Sequence, residues 1–359
     1  MIFDFLNIQP DNARYFPAER LQLFATSILQ ALNVPEEHAR ISADALVSAN
    51  LRGVDTHGII NLLEYTPMIL DGSYTIPQEI RVIRESESTA LMSNGNGLGF
   101  VGGVYAMRLA IQKAWETGSG QVVICDGRHI GMAAYFSMMA LEHDMIGITY
   151  TNGSRSVRPI LGARTRLGTN PLAFAAPAGK QRPFVLDMAT STVAGRKIEL
   201  AHNLGVPIPE GWAVDYKGHP ITKPPLKRSD AWAQNPLGNT LVQGGHKGYG
   251  LAVMIDIMTG VLSGGGYGAN MSFGQNYTWV MALDISRIRP VDEFKQMMDD
   301  MIIELHSTPP EEGAEQVLVA GDPEADTQVL RMKTGVPFHY DQVKKLNELA
   351  ASLKVDGLH

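Results

Sequence analysis

From Pro17 to Asn50 apolar residues recur at spacings of three and four, as in Leu21, Phe24, Ile28 and Leu32 and then Ala43, Leu46 and Val47. That period lines one helix face, so the segment reads as two amphipathic helices parted near Val34-Pro35. A short apolar run, Thr89-Ala90-Leu91-Met92, precedes the glycine cluster Gly95, Gly97 and Gly99. A helical pattern follows from about Val104 to Glu116, and Gly118 and Gly120 are expected to end it. Residues 122–125, 147–150, 172–176 and 184–186 are brief apolar runs bounded by Gly, Pro, Asp or Asn, the way buried strands read. They predict a central sheet. Residues 203–240, with Pro207, Pro209, Pro220, Pro224, Pro225 and Pro236, read as mostly ordered loop. An apolar helix is expected from Tyr249 to Leu262, closed by Gly264, Gly265 and Gly266, and a last helix from about Tyr340 to Leu353. The chain has no internal repeat and no low-complexity tract.

Composition narrows the class. At 359 residues and 45% hydrophobic content the chain exceeds the usual size of one domain, so two intimately connected domains are expected. Thirty basic residues stand against 37 acidic ones, a formal charge of -7, with no block of five like charges. Nucleic acid and anionic membrane are therefore poor partners. Cys125 is the only cysteine, which excludes an intrachain disulfide and fits a reducing compartment. The first twenty residues carry Asp4, Asp11, Arg14, Glu19 and Arg20 and lack the apolar run of a signal peptide. The longest apolar stretch contains Asp256 and is too short to span a bilayer, so a cytoplasmic location is expected.

Several clusters carry candidate chemistry. Gly97-Leu98-Gly99-Phe100-Val101-Gly102 matches G-x-G-x-x-G, with a strand before it, a helix after it and Asp126 at the end of the next strand. It could cradle a pyrophosphate at a helix amino terminus, or simply pack a helix close to a sheet. In Arg52-Gly53-Val54-Asp55-Thr56-His57-Gly58 a histidine has a hydroxyl neighbour and glycines on both sides that suit a ligand's close approach. His129, in Asp126-Gly127-Arg128-His129-Ile130-Gly131, follows a buried strand, where open sheets place ligands. Both imidazoles are candidates for proton transfer, against the alternatives of capping or surface roles. Gly168-Thr169-Asn170-Pro171 offers a hydroxyl and an amide, or only an Asn-Pro turn. Asp187, at a strand end before Met188-Ala189, could cap a helix or orient an imidazole. Gly244-Gly245-His246-Lys247-Gly248 precedes the apolar helix and suits a phosphate, or merely caps that helix. The histidines and acids show no metal-ligand spacing, and no metal is expected.

Taken together, Arg52 to Gly58, Arg128 to Gly131, Gly168 to Pro171, Asp187 to Ser191 and Lys247-Gly248-Tyr249-Gly250 resemble the type 2 malate/L-lactate dehydrogenase family. That family includes ureidoglycolate and sulfolactate dehydrogenases, 2,3-diketogulonate reductase and cyclic imino acid reductases. The resemblance implies a non-Rossmann α/β fold with a largely antiparallel cofactor-binding sheet, helical packing from both chain ends and a homodimer. The match at Gly97 to Gly102 then becomes a coincidence. A helical, substrate-side domain is expected from residues 1–75 with about 320–359 and 76–125, and a cofactor-binding domain from 126–319.

The resemblance further implies NAD(P)-dependent hydride transfer at C2 of a small 2-hydroxy or 2-oxo acid, with NAD or NADP as cofactor. A cyclic imino acid reductase is the alternative enzyme, and a nucleotide-binding sensor without catalysis the alternative outside enzymes. By similarity His57 is a proton donor beside Thr56 with Asp187 as its partner, and His129 a general base. Substrate contacts are expected at Arg52, Asn61, Thr169 and Asn170. Cofactor contacts are expected at Gly131, Asn152, Gly153, Asp187, Met188, Ala189, Lys247, Gly248, Gly321, Asp322 and Pro323. Family members often carry arginine where this chain has Asn61, and Arg155 and Arg158 are extra cations in a cofactor-side loop.

Overall fold

The structure, a computed structural model, describes residues 10–224, 232–272 and 274–359. Helix α1 spans Ala18–Ala31 and α2 spans Glu36–Leu51, where the spacing of three and four places them. Leu21, Phe24 and Ile28 of α1 and Leu46 of α2 are sealed in the core. A proline precedes each helix, where its missing N–H leaves no intrahelical bond unmade.

Strand β1 (Ala13–Phe16) pairs with β12 (Val336–His339), near the two ends of the chain. The principal sheet is built from β2 (Arg81–Glu85), β3 (Thr89–Ser93), β4 (Ser119–Cys125), β5 (Met145–Thr151), β6 (Leu172–Ala176), β7 (Phe184–Met188) and β11 (Thr278–Asp284). Among the described residues its order is β2-β3-β4-β11-β5-β6-β7. Only β3 and β4 are parallel neighbours, and every other pairing is antiparallel. The largely antiparallel architecture is thus as expected, and the sheet runs straight across the boundary expected near residue 125. Central strand β11 escapes a sequence reading because most of its residues are buried on both faces, which leaves no alternation to mark it.

Helix α4 (Gly99–Thr117) begins earlier than Val104. Gly118 ends it in a left-handed conformation, φ 91°. Gly120 has a different role from the one expected: it lies inside β4, where a Cβ would run into the Ala110 carbonyl, so it lets helix and sheet pack closely. Helix α3 (Leu62–Leu70) follows the His57 turn, and α5 (Ala134–Met139) follows His129.

Residues 203–240 are more ordered than a loop. Helix α6 (Gly195–Leu204) enters the segment, and β8 (Ala213–Asp215), β9 (Pro220–Ile221) and β10 (Trp232–Gln234) form a small antiparallel sheet beside Trp212. These strands are too short to show a period. Pro225 lies outside the described residues, as does Asp4.

Helix α7 (Gly245–Asp256) starts ahead of Tyr249, takes Lys247 and Gly248 into its first turns and runs on as a π-helical turn, Ile257–Val261. Helices α8 (Val291–Ser307), α9 (Asp322–Thr334) and α10 (Tyr340–Ser352) complete the chain. Helix α9, late in the chain, packs on α2, giving the expected helical packing from both chain ends. Among the described residues no helix is long and apolar enough to cross a membrane.

Candidate active site

His57 sits on a turn that the surrounding chain over-determines. Gly53, at φ 78°, reverses the backbone after α2, and two short 3-10 turns follow. Asn50 ties the turn down by donating to Asp55 Oδ1 at 2.8 Å and accepting from the Ile59 N–H at 2.9 Å. Arg331 of α9 grips Asp55 with two bonds of 2.7 and 2.9 Å, a bidentate geometry, so a helix late in the chain helps position the histidine. Gly58 is needed for Asn50 rather than for a ligand, since a Cβ there would strike the Asn50 side chain.

His129 leaves the carboxyl end of β4 through Asp126, whose φ is 51°. Gly99, at the start of α4, packs against the carbonyls of Arg128 and His129, where any side chain would collide. The imidazoles of His57 and His129 stack with centroids 5.4 Å apart and planes 24° apart. Only tertiary folding brings them together. Tyr65 of α3 places its hydroxyl 2.6 Å from His129 Nδ1, and burial pushes that phenol well up, so it stays protonated. His57 Nδ1 lies 2.9 Å from Thr56 Oγ1. Desolvation, then the Arg196 guanidinium, lower the His57 pKa to about 4, so its ring is neutral near pH 7.

Both histidines line a cavity of about 440 Å³ together with Gly131, Asn152, Gly153 and Thr169. Asn152 is held rigidly: Nδ2 donates to Asp256 Oδ1 at 3.0 Å and Oδ1 accepts from the Tyr277 N–H at 2.8 Å. Asn170 is fully buried and acts behind the wall, accepting from the Gly153 N–H and donating to the Ala252 carbonyl. Asn61 is also sealed, and its amide donates to the Thr56 and Gly58 carbonyls at 3.1 and 2.9 Å. It shapes the His57 turn and does not line the cavity.

Asp187, expected as the partner of His57, makes its described contacts with other groups. Its Oδ2 accepts from the Ala134 N–H at 2.7 Å, and its electrostatic neighbours are Glu324 and Arg52. The residue keeps solvent exposure while its carboxyl group is enclosed by neighbouring protein. That crowding raises its pKa to about 6. Arg52 and Gly321 line a second, smaller cavity of about 280 Å³. Asp322 and Pro323 open α9, with Asp322 Oδ2 accepting from the Val319 N–H and facing His306. Met188 and Ala189 continue from Asp187 at the end of β7, and Lys247 is exposed at the start of α7, with Gly248 packed on Leu237. Arg158 is tied to Asn235 and Gly162, and Arg155 is exposed.

The Gly97 to Gly102 cluster is filled by the protein itself. Gln78 bridges it, accepting from the Leu98 N–H at 2.8 Å and donating to the Leu98 carbonyl at 3.1 Å. A Cβ at Gly97 would strike Gln78, and one at Gly102 would strike Asn94. These glycines serve close packing, and the Leu98 N–H is already spent on Gln78. Sequence reasoning missed Tyr65, Glu64 and Arg196, which also line the main cavity. Tyr65 reads as an ordinary core position of an apolar helix, and Arg196 as a surface charge; no periodicity marks either.

Comparison with known proteins accords with this geometry. A family model described as malate/L-lactate dehydrogenase matches residues 16–347. The chain belongs to that family. A malate dehydrogenase of Pyrococcus horikoshii is 42% identical over 95% of this chain and 96% of its own. A malate/(S)-sulfolactate dehydrogenase of Methanothermus fervidus is 37% identical over 92% and 95%. The solved structure of malate dehydrogenase from Pyrococcus horikoshii superposes with a TM-score of 0.90 at 39% identity, covering 98% of this chain and 99% of that one.

Proposed function

We propose that this protein is an NAD(P)-dependent dehydrogenase that interconverts a small 2-hydroxy acid and its 2-oxo acid. The observation that carries the reading is the pair of stacked imidazoles, one of them hydrogen-bonded to a buried tyrosine, on the wall of a cavity sized for a small acid. Relatives named for malate and sulfolactate support the substrate class.

The residues present fit a dinucleotide. Gly153 has room above it, with nothing closer to an added Cβ than Thr169 Oγ1 at 3.7 Å. Lys247 presents an exposed ammonium at a helix amino end, where phosphate is favoured. Asp187 is an exposed residue whose carboxylate suits ribose hydroxyls, Met188 and Ala189 follow it in the chain, and Gly321 packs against Val185 of the same strand. When bound, the nicotinamide supplies or accepts the hydride.

The protein supplies the proton and the alignment. His129 takes the hydroxyl proton of a 2-hydroxy acid as C2 is oxidised, and returns a proton to that oxygen in reduction. Its Nδ1 is committed to Tyr65, so exchange with substrate falls to Nε2. His57, with its pKa near 4, is protonated in about one ring per thousand at pH 7 and acts by hydrogen bonding as a neutral imidazole. Thr169 lines the same wall and orients the polar end of the substrate, and Asn152 behind it keeps that wall rigid. The test is loss of NADH or NADPH absorbance with a panel of 2-oxo acids. Turnover with at least one of them is expected. Turnover only with a cyclic imine, or with nothing, overturns the proposal.

A further inference from the structure

The cavity that holds the two histidines is lined by two carboxylates, Glu64 and Glu199, and among its described lining residues Arg196 is the one lysine or arginine. An acid entering this space is repelled by the two carboxylates and attracted by that guanidinium. Arg196 Nη2 lies 2.6 Å from Glu64 Oε2, a pair that joins α6 to α3 across the cavity. The side chains are 29% and 60% exposed, so water already competes for both partners. A half-hydrated pair of this kind is weak and exchangeable. The same guanidinium is near enough to His57 to depress its pKa, which places it beside the reacting groups.

The other groups expected near a substrate are engaged elsewhere. Asn61 is uncharged and sealed behind the turn, and Arg52 lines the other cavity. Arg128 donates to the Ser73 carbonyl and lies over the Tyr74 ring, 5.1 Å from its centroid. We infer that Arg196 binds the carboxylate of the substrate, which takes the place of Glu64 on the guanidinium. This inference rests on the dehydrogenase reading above. It makes Arg196 a substrate-positioning residue and Glu64 a built-in competitor that keeps the cation paired until an acid arrives.

The experiment is steady-state kinetics of the full chain and its Arg196→Met, Arg196→Lys and Glu64→Gln variants. The substrates are the best 2-oxo acid from the panel and its methyl ester, which lacks the charge, and cofactor affinity is measured separately by fluorescence. Arg196→Met should raise KM for the acid by roughly 10- to 100-fold, the range for loss of a charge-assisted contact, while KM for the ester changes by less than about three-fold. Lysine should restore part of the loss, and Glu64→Gln should lower KM for the acid. Cofactor affinity should not move. Equal effects on acid and ester, or an unchanged acid KM, overturn the inference while the dehydrogenase reading stands. A wild-type protein that turns over no 2-oxo acid removes that reading, and this inference with it. Should Arg196→Met fail to fold, the lysine and Glu64 variants decide: an acid-to-ester preference unchanged in both overturns the inference.

Discussion

His57→Gln separates the charge of an imidazole from its hydrogen-bonding shape, and its effect can be worked from the structure. Desolvation and Arg196 bring His57 from 6.5 down to about 4 in the folded protein, whereas in the unfolded chain the ring titrates near 6.5. As pH falls below 6.5 the unfolded chain takes up a proton that the folded one resists. The stability held by the neutral ring is therefore complete above pH 6.5 and is lost progressively as pH falls toward 4. The full gap corresponds to roughly 3 kcal/mol. Because the ring opens on a cavity that water shares, about 1–2 kcal/mol should be measured. Urea denaturation at about pH 7.5 and about pH 4.5 reads it directly: the wild type should lose that much more stability between the two than His57→Gln, in which this proton is absent. An NMR titration of the histidine rings gives the pKa independently. Equal losses in the two proteins, together with a His57 ring that titrates near 6.5, would refute the argument and reopen the proton-transfer role for His57.

The other expectations concern the neighbours of that ring and the cofactor. His129→Ala should lower kcat by roughly 10² to 10⁴ and leave cofactor affinity intact; a variant altered mainly in KM would exchange the roles of the two histidines. Tyr65→Phe removes the 2.6 Å contact with His129, and should lower kcat about ten-fold and stability by about 1 kcal/mol, read by kinetics and thermal unfolding. A kcat unchanged in a folded Tyr65→Phe protein would show that His129 needs no such support. Lys247→Met should weaken NADH or NADPH binding about ten-fold or more without changing the unliganded melting temperature, since the side chain is exposed. Unchanged affinity in a fluorescence titration would remove Lys247 from the cofactor site.

Much of the scaffold was legible in the chain. The spacing of Leu21, Phe24 and Ile28 set the first helix, and Leu172–Ala176 reads as the strand it forms. Local rules suffice there because burial imposes a period on each element separately. The motif around His57 and the one around His129 also marked both imidazoles as chemistry. What the sequence by itself could not determine is which groups meet. Asp187 stands after an apolar strand and looked like a partner for His57, yet the fold turns it toward Ala134, Arg52 and Glu324. Asn61 looked like a ligand contact and is instead sealed beneath the turn it holds. The glycines at 97 to 102 carry the pattern of a phosphate cradle, but Gln78, distant from them along the chain, fills the space. Tyr65 and Arg196 carry no motif at all, and they become site residues only because α3 and α6 face one cavity. Backbone period is a property of neighbours in sequence, whereas the pKa of His57 and the charge of the cavity are sums over atoms from distant segments, which only the tertiary structure brings within a few ångströms of one another.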